Sequence, residues 1–100
     1  MMTDRANLPR ELRPFIDANG RLFQWPVKQK TQRMAIAYLA EHFEAGREYS
    51  EREVNEILLE WHTFGDWALL RRCLCDWDLM ERERDGTRYR LRPAPTTKTA

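Results

Sequence analysis

Residues 50–92 read SEREVNEILLEWHTFGDWALLRRCLCDWDLMERERDGTRYRLR, and the order of local signals within them decides the fold. Ser50 and Glu53 have capping-box spacing: the serine hydroxyl accepts from the backbone N–H three residues on, and the glutamate reaches back to the serine N–H. The helix so started is predicted to run to about Trp61, since Val54, Ile57, Leu58 and Trp61 recur at three- and four-residue steps. Thr63, Phe64 and Gly65 make a tight connection. Asp66 then caps a helix running to about Trp77, with Leu70, Cys73, Leu74 and Trp77 on its core face and Trp67 at its start. Residues 79–84 and 87–92 flank Asp85-Gly86, a pair suited to a two-residue type I′ turn, in which both positions need positive φ. That register sets Met80 opposite Leu91, Arg82 opposite Tyr89 and Arg84 opposite Thr87 on one face. On the other face Glu81 meets Arg90 and Glu83 meets Arg88.

Working outward, residues 28–43 place Gln32, Ala35, Ile36, Leu39, Ala40 and Phe43 at helical spacing, and Gly46 ends the pattern. Arg47-Glu48-Tyr49 has room only for a small strand. Farther upstream, residues 9–16 suit a short leading helix broken by Pro14, Asn19-Gly20 is a turn signal, and residues 21–25 alternate as a short extended segment ending at Pro26. Helix, short strand, helix, tight turn, helix, hairpin is the order of a winged helix-turn-helix, in which the short strand adds a third edge to the hairpin. The expected fold is therefore α+β, with three main helices, a small antiparallel hairpin wing and an extra N-terminal segment. Its expected organisation is a tail and short helix over residues 1–19, the winged-helix-like domain over 20–92, and a frayed tail over 93–100.

The composition sets the outer bounds. One hundred residues, 42% hydrophobic, 11% aromatic and 33% charged, suit a single domain, and four Trp, three Tyr and four Phe exclude a wholly disordered chain. No apolar run approaches the roughly 18 residues of a membrane span, and MMTDRANLPREL has no apolar stretch to act as a signal, so a cytoplasmic protein without membrane contact is expected. Cys73 and Cys75 lie two apart with no His or Cys partner at metal-ligand spacing, so neither a disulfide framework, a zinc site nor another cofactor is expected. The net charge of +1 conceals an uneven distribution: +4 over residues 1–34, −5 over 35–65 and +1 over 66–92, with Lys98 adding the last charge. An acidic middle between more basic ends suits orientation on a polyanion as well as head-to-tail contact with another protein.

A set of residues also carries a family resemblance. It comprises Gln24-Trp25-Pro26-Val27-Lys28-Gln29-Lys30, Tyr38-Leu39-Ala40-Glu41-His42-Phe43, the run from Gly46 to Leu58 containing Glu-Val-Asn-Glu-Ile-Leu, then His62, Asp66, Leu70-Arg71-Arg72 and Glu81-Arg82-Glu83-Arg84-Asp85-Gly86. Together they resemble the bacterial domain of unknown function 2087, over roughly residues 20–91. The resemblance implies a winged-helix-like domain, found alone or beside other helix-turn-helix modules in regulator-like chains, with no established activity. The chain departs from the family pattern at Asp78, where a Gly usually precedes the hairpin.

In a helix-turn-helix the second helix enters the major groove, and here its outward face is Ala68, Arg71, Arg72 and Cys75. Arg71 and Arg72 are the expected groove contacts, because a guanidinium pairs with guanine or clamps phosphate. Asp66, Asp76 and Asp78 leave that segment at −1, so pairing of one arginine with an acidic neighbour is the competing reading. Cross-strand pairing is expected to occupy Arg88 and Arg90, which leaves Arg84 and Arg92 as free phosphate contacts. Lys28, Lys30 and Arg33 crowd the positive end of the first helix dipole, a placement that costs stability; it suits a phosphate, with Lys28 and Lys30 as contacts, against the commoner reading of a solvated face beside the acidic middle segment. His62 and Asp66 lack any accompanying nucleophile and read as a turn-tightening pair rather than a catalytic one. The expected function is a non-enzymatic regulatory module that binds duplex DNA. The alternative is a winged-helix interaction module, a homodimer or a partner of another regulatory protein, with an exposed Trp67 as interface anchor and no DNA contact.

Overall fold

The computed structural model describes residues 8–85 and 87–92; the expected tails over 1–7 and 93–100 and the turn glycine Gly86 lie outside the described residues. Among the described residues the order is a 3-10 turn at Arg13–Phe15, α1 (Gln29–Ala40), β1 (Tyr49–Ser50), α2 (Glu51–Trp61), α3 (Trp67–Asp76), β2 (Met80–Arg82) and β3 (Arg88–Leu91). The three strands form one antiparallel sheet in the order β1-β3-β2, beside three helices, so the fold is α+β. The capping box at Ser50 forms with both hydrogen bonds in place, Glu53 N–H to Ser50 Oγ at 3.1 Å and Ser50 N–H to Glu53 Oε1 at 2.8 Å. The strand register is the one expected, with Met80 opposite Leu91, Glu81 opposite Arg90 and Arg82 opposite Tyr89, while Glu83 N–H donates to the Arg88 carbonyl. β1 pairs with β3 through Tyr49 and Tyr89, both buried.

The first helix is shorter than its hydrophobic spacing suggests. α1 ends at Ala40, and residues 41–43 continue as a tighter turn in which Glu41, His42 and Phe43 N–H groups donate to carbonyls three residues back. Phe43 nevertheless stays in the core, stacked edge-on against Tyr49. Residues 21–25 do not form a strand: only Leu22 makes bridge contacts, to Ile16 on one side and His62 on the other. Leu22 N–H donates to Trp61 and its carbonyl accepts from Thr63, which anchors the segment across the end of α2. Leu8, Leu12 and Ile16 are buried in the same core as the three helices, so the upstream segment is part of the packed body.

After α3 the chain turns through Asp78 at φ 64°, the left-handed region that favours glycine. Leu79 N–H returns to the Leu74 carbonyl at 2.9 Å and Asp78 N–H to Cys75 at 3.1 Å, the paired closure of a Schellman motif. The departure from the family pattern thus leaves a glycine-type turn intact, with an aspartate under backbone strain. Asp78→Gly should raise stability by up to about 1 kcal/mol, offset in part by glycine's extra unfolded-state entropy and the loss of the contact with Arg92. Urea denaturation checks this, and Asp78→Val should move stability in the opposite direction.

His42 lies under α2, its ring stacked on Trp61 at 3.8 Å between centroids and edge-on to Tyr38 at 5.1 Å. Its Nδ1 is buried without a hydrogen-bond partner among the described residues. Burial lowers its pKa below the ordinary histidine value of 6.5, opposed by the nearby backbone of Leu39 and Tyr38 and by the charges of Glu41 and Glu60. With the folded-state pKa lowered, the unfolded chain takes up the proton first, so stability is lost as pH falls through 6.5 towards the folded-state value. His42→Phe, which keeps the stack, should flatten the decline in Tm between about pH 8 and pH 5.

Candidate nucleic-acid interface

Asp66 N–H donates to His62 Nε2 at 2.9 Å, and the Asp66 carboxylate accepts from Leu69 N–H at 3.4 Å. The other ring nitrogen of His62, Nδ1, donates to the Leu58 carbonyl, and the ring is 97% buried. His62 and Asp66 therefore build the α2–α3 turn, as a capping pair should, and both histidine nitrogens are occupied by backbone. Gly65 takes φ +72° between them, a conformation any side chain would strain. This turn sets the direction of α3 and so decides what its outer face presents.

The two arginines of that face have different surroundings. Arg71 Nη1 donates to Asn55 Oδ1 at 2.7 Å, lies 3.5 Å from the Glu51 carboxylate, and sits over the Trp67 ring at 5.5 Å. Its side chain is only 22% exposed. Arg72 is 80% exposed, and among the described residues its one ion pair is with Asp76, one helical turn on, at 3.4 Å. Of the pair expected to contact bases, Arg71 is a cross-tie from α3 to the first turns of α2, and Arg72 is the one that stands in solvent.

Beside α3 runs a groove of about 670 Å³, walled on its other side by β2 and β3. Arg71, Arg72, Asp76 and Cys75 line it from the helix, and Arg82 and Tyr89 from the sheet. Tyr89 hydroxyl donates to Glu51 Oε1 at 3.3 Å. Burial raises the phenol pKa, opposed by the neighbouring Arg82 guanidinium. Burial also raises the Cys75 thiol, opposed by the charge of Arg82, and Cys73 rises for the same first reason. Both cysteines thus remain protonated thiols at neutral pH.

The opposite sheet face is an ion-pair lattice. Glu81 pairs with Arg90 at 3.2 Å as the register requires, yet Arg88 turns away from Glu83 to Glu48 at 3.0 Å. Glu83 instead reaches Arg90 at 3.6 Å, which also meets Glu48 at 3.6 Å. The cause is β1: its pairing with β3 brings Glu48 alongside the hairpin. Arg92 is not free either, with Asp78 at 3.8 Å. Arg84 is exposed at the hairpin and makes no ion pair among the described residues. Lys28 and Lys30 are exposed at the start of α1, where Lys28 occupies the cap position without a side-chain cap, and neither lines the groove. Trp67 is half-buried and packed against the core rather than exposed.

The sequence profile of DUF2087, described as an uncharacterized protein conserved in bacteria, matches residues 21–91. The chain belongs to this family. Comparison with curated proteins and with solved structures finds no match. The DUF2087 span contains every groove residue named above, whereas the buried Leu12 and Ile16 precede it. Within the described residues of this DUF2087 chain no three His, Cys, Asp or Glu side chains are placed to hold a metal ion, and no helix is long and apolar enough to cross a membrane.

Arg82 was not among the expected contacts, although its signal is present in the sequence. It shares a sheet face with buried Met80, two residues earlier, so it points to the helical side rather than with Glu81 and Glu83. For the arginine pair on α3 the structure predicts unequal costs. Arg71→Ala should destabilise the domain by about 1 to 2 kcal/mol, by leaving Asn55 and Glu51 without their partner, whereas Arg72→Ala should stay within about 0.5 kcal/mol. Equal shifts in urea midpoints would contradict the cross-tie.

Proposed function

We propose that this DUF2087 member is a winged-helix-type regulatory module, non-enzymatic, that binds duplex DNA. The observation that carries the reading is Arg72, standing 80% exposed on the outer face of the helix that follows the His62–Asp66 turn, with the hairpin alongside. A helix with side chains is roughly 10–12 Å across and suits a major groove about 12 Å wide. The guanidinium of Arg72 then meets base edges or phosphate. Its present partner, Asp76, is an exposed neighbour on the same helix, and such a pair contributes only a few tenths of a kcal/mol. A phosphate displaces it at little cost.

Arg84 at the hairpin and Lys28 and Lys30 at the uncapped start of α1 serve as phosphate contacts, with Arg92 joining them when it leaves Asp78. Arg71 adds charge to the field while its hydrogen bonds hold it to α2. One observation favours a second reading, a module that binds another regulatory protein: the outer sheet face is already charge-compensated by Glu48, Glu81 and Glu83.

Fluorescence anisotropy of a mixed-sequence duplex, titrated at two salt concentrations, separates the two. The DNA reading expects a Kd near micromolar at low salt that weakens steeply as salt is added, by roughly 0.9 log units per log unit of salt for each phosphate contacted. Arg72→Glu combined with Arg84→Glu should remove retention without lowering Tm. Salt-insensitive affinity, or binding unchanged in the double variant, turns the assignment to the protein-binding module.

A further inference from the structure

We propose that the groove between α3 and β2 is a phosphodiester seat in which Arg82 and Arg72 grip one backbone phosphate from opposite walls. This rests on the duplex-DNA reading and adds a specific contact to it. The groove carries three arginines against one carboxylate, Asp76. Of the three, Arg71 has its guanidinium engaged by Asn55 and Glu51. Arg72 has, among the described residues, one ion pair, with the exposed Asp76. Arg82 has no carboxylate within ion-pair distance among the described residues, although Glu81 and Glu83 flank it in the chain. Those neighbours point to the other sheet face, where Arg90 takes both.

Arg82 lies opposite Tyr89 across the two strands, and the Tyr89 hydroxyl donates to Glu51. Glu51 in turn contacts Arg71, so Tyr89, Glu51, Arg71 and Asn55 form one chain of polar contacts at the head of the groove. A guanidinium presents five N–H donors in a planar fork, suited to a two-point contact with phosphate oxygens. Arg82 brings that fork from the sheet wall of the groove and Arg72 from the helix wall.

The experiment compares two arginines on the same hairpin. Arg82→Ala and Arg88→Ala remove the same charge, one from the groove face and one from the outer face where Glu48 already holds it. In anisotropy titrations with a mixed-sequence duplex, Arg82→Ala should weaken binding by about tenfold at low salt and lower the salt slope by about one. Arg88→Ala should stay within about twofold, and Arg82→Lys, which keeps charge but loses the fork, should fall between. Circular dichroism confirms that each variant is folded. If the wild type binds and Arg82→Ala and Arg88→Ala behave alike, the phosphate seat is wrong and the DNA reading stands. If the folded wild type binds no duplex at low salt, the DNA reading fails and the seat fails with it.

Discussion

The buried imidazole of His62 holds the ends of two helices at once. Its Nδ1–H closes the last turn of α2 on Leu58, and its Nε2 takes the first free N–H before α3, that of Asp66. Both nitrogens are committed to backbone in a site shielded from water, where an unmade hydrogen bond is expensive. The angle between α2 and α3 follows from that geometry, reinforced by Leu22, whose backbone brackets the same junction from the N-terminal side. Everything at the candidate interface, from the exposure of Arg72 to the opening of the groove, depends on where this joint directs α3.

Charge on the molecule is sorted by the sheet. Strand alternation sends Glu81 and Glu83 to one face and Met80 and Arg82 to the other, and β1 delivers Glu48 to the first. Acidic and basic residues that cancel in a count are thus separated in space. The outer face sets Glu48, Glu81 and Glu83 against Arg88 and Arg90, while the groove keeps an excess of arginine. A net charge of +1 consequently describes neither surface.

Much of the frame was legible in advance because its signals are local. The Ser50 capping box, the Asp66 cap and the hairpin register each depend on residues a few positions apart, whose hydrogen bonds form wherever the rest of the chain lies. The end of α1 was less legible. Phe43 keeps the helical phase of the core although the chain tightens into a 3-10 turn after Ala40, and hydrophobic spacing of three residues does not distinguish the two. The Asp78 turn was a departure from pattern in the sequence, and its backbone closure is that of a glycine turn nonetheless.

The main helices, the hairpin and its register are written in neighbours along the chain and were readable there, unlike the stretch 21–25, where only Leu22 bridges. Which charges are spent was settled by packing. Arg71 and Arg72 are adjacent and chemically alike, yet one meets Asn55, sixteen residues away on α2, and the other stands 80% exposed beside Asp76 on its own helix. Arg88 finds Glu48, forty residues away, rather than the glutamate opposite it. Arg92 finds Asp78, and Arg82 has neither of its acidic neighbours, since Glu81 and Glu83 both reach Arg90. The competition among possible partners for a long, flexible guanidinium is settled by distances of a few ångströms, and those exist only after helices and sheet have packed.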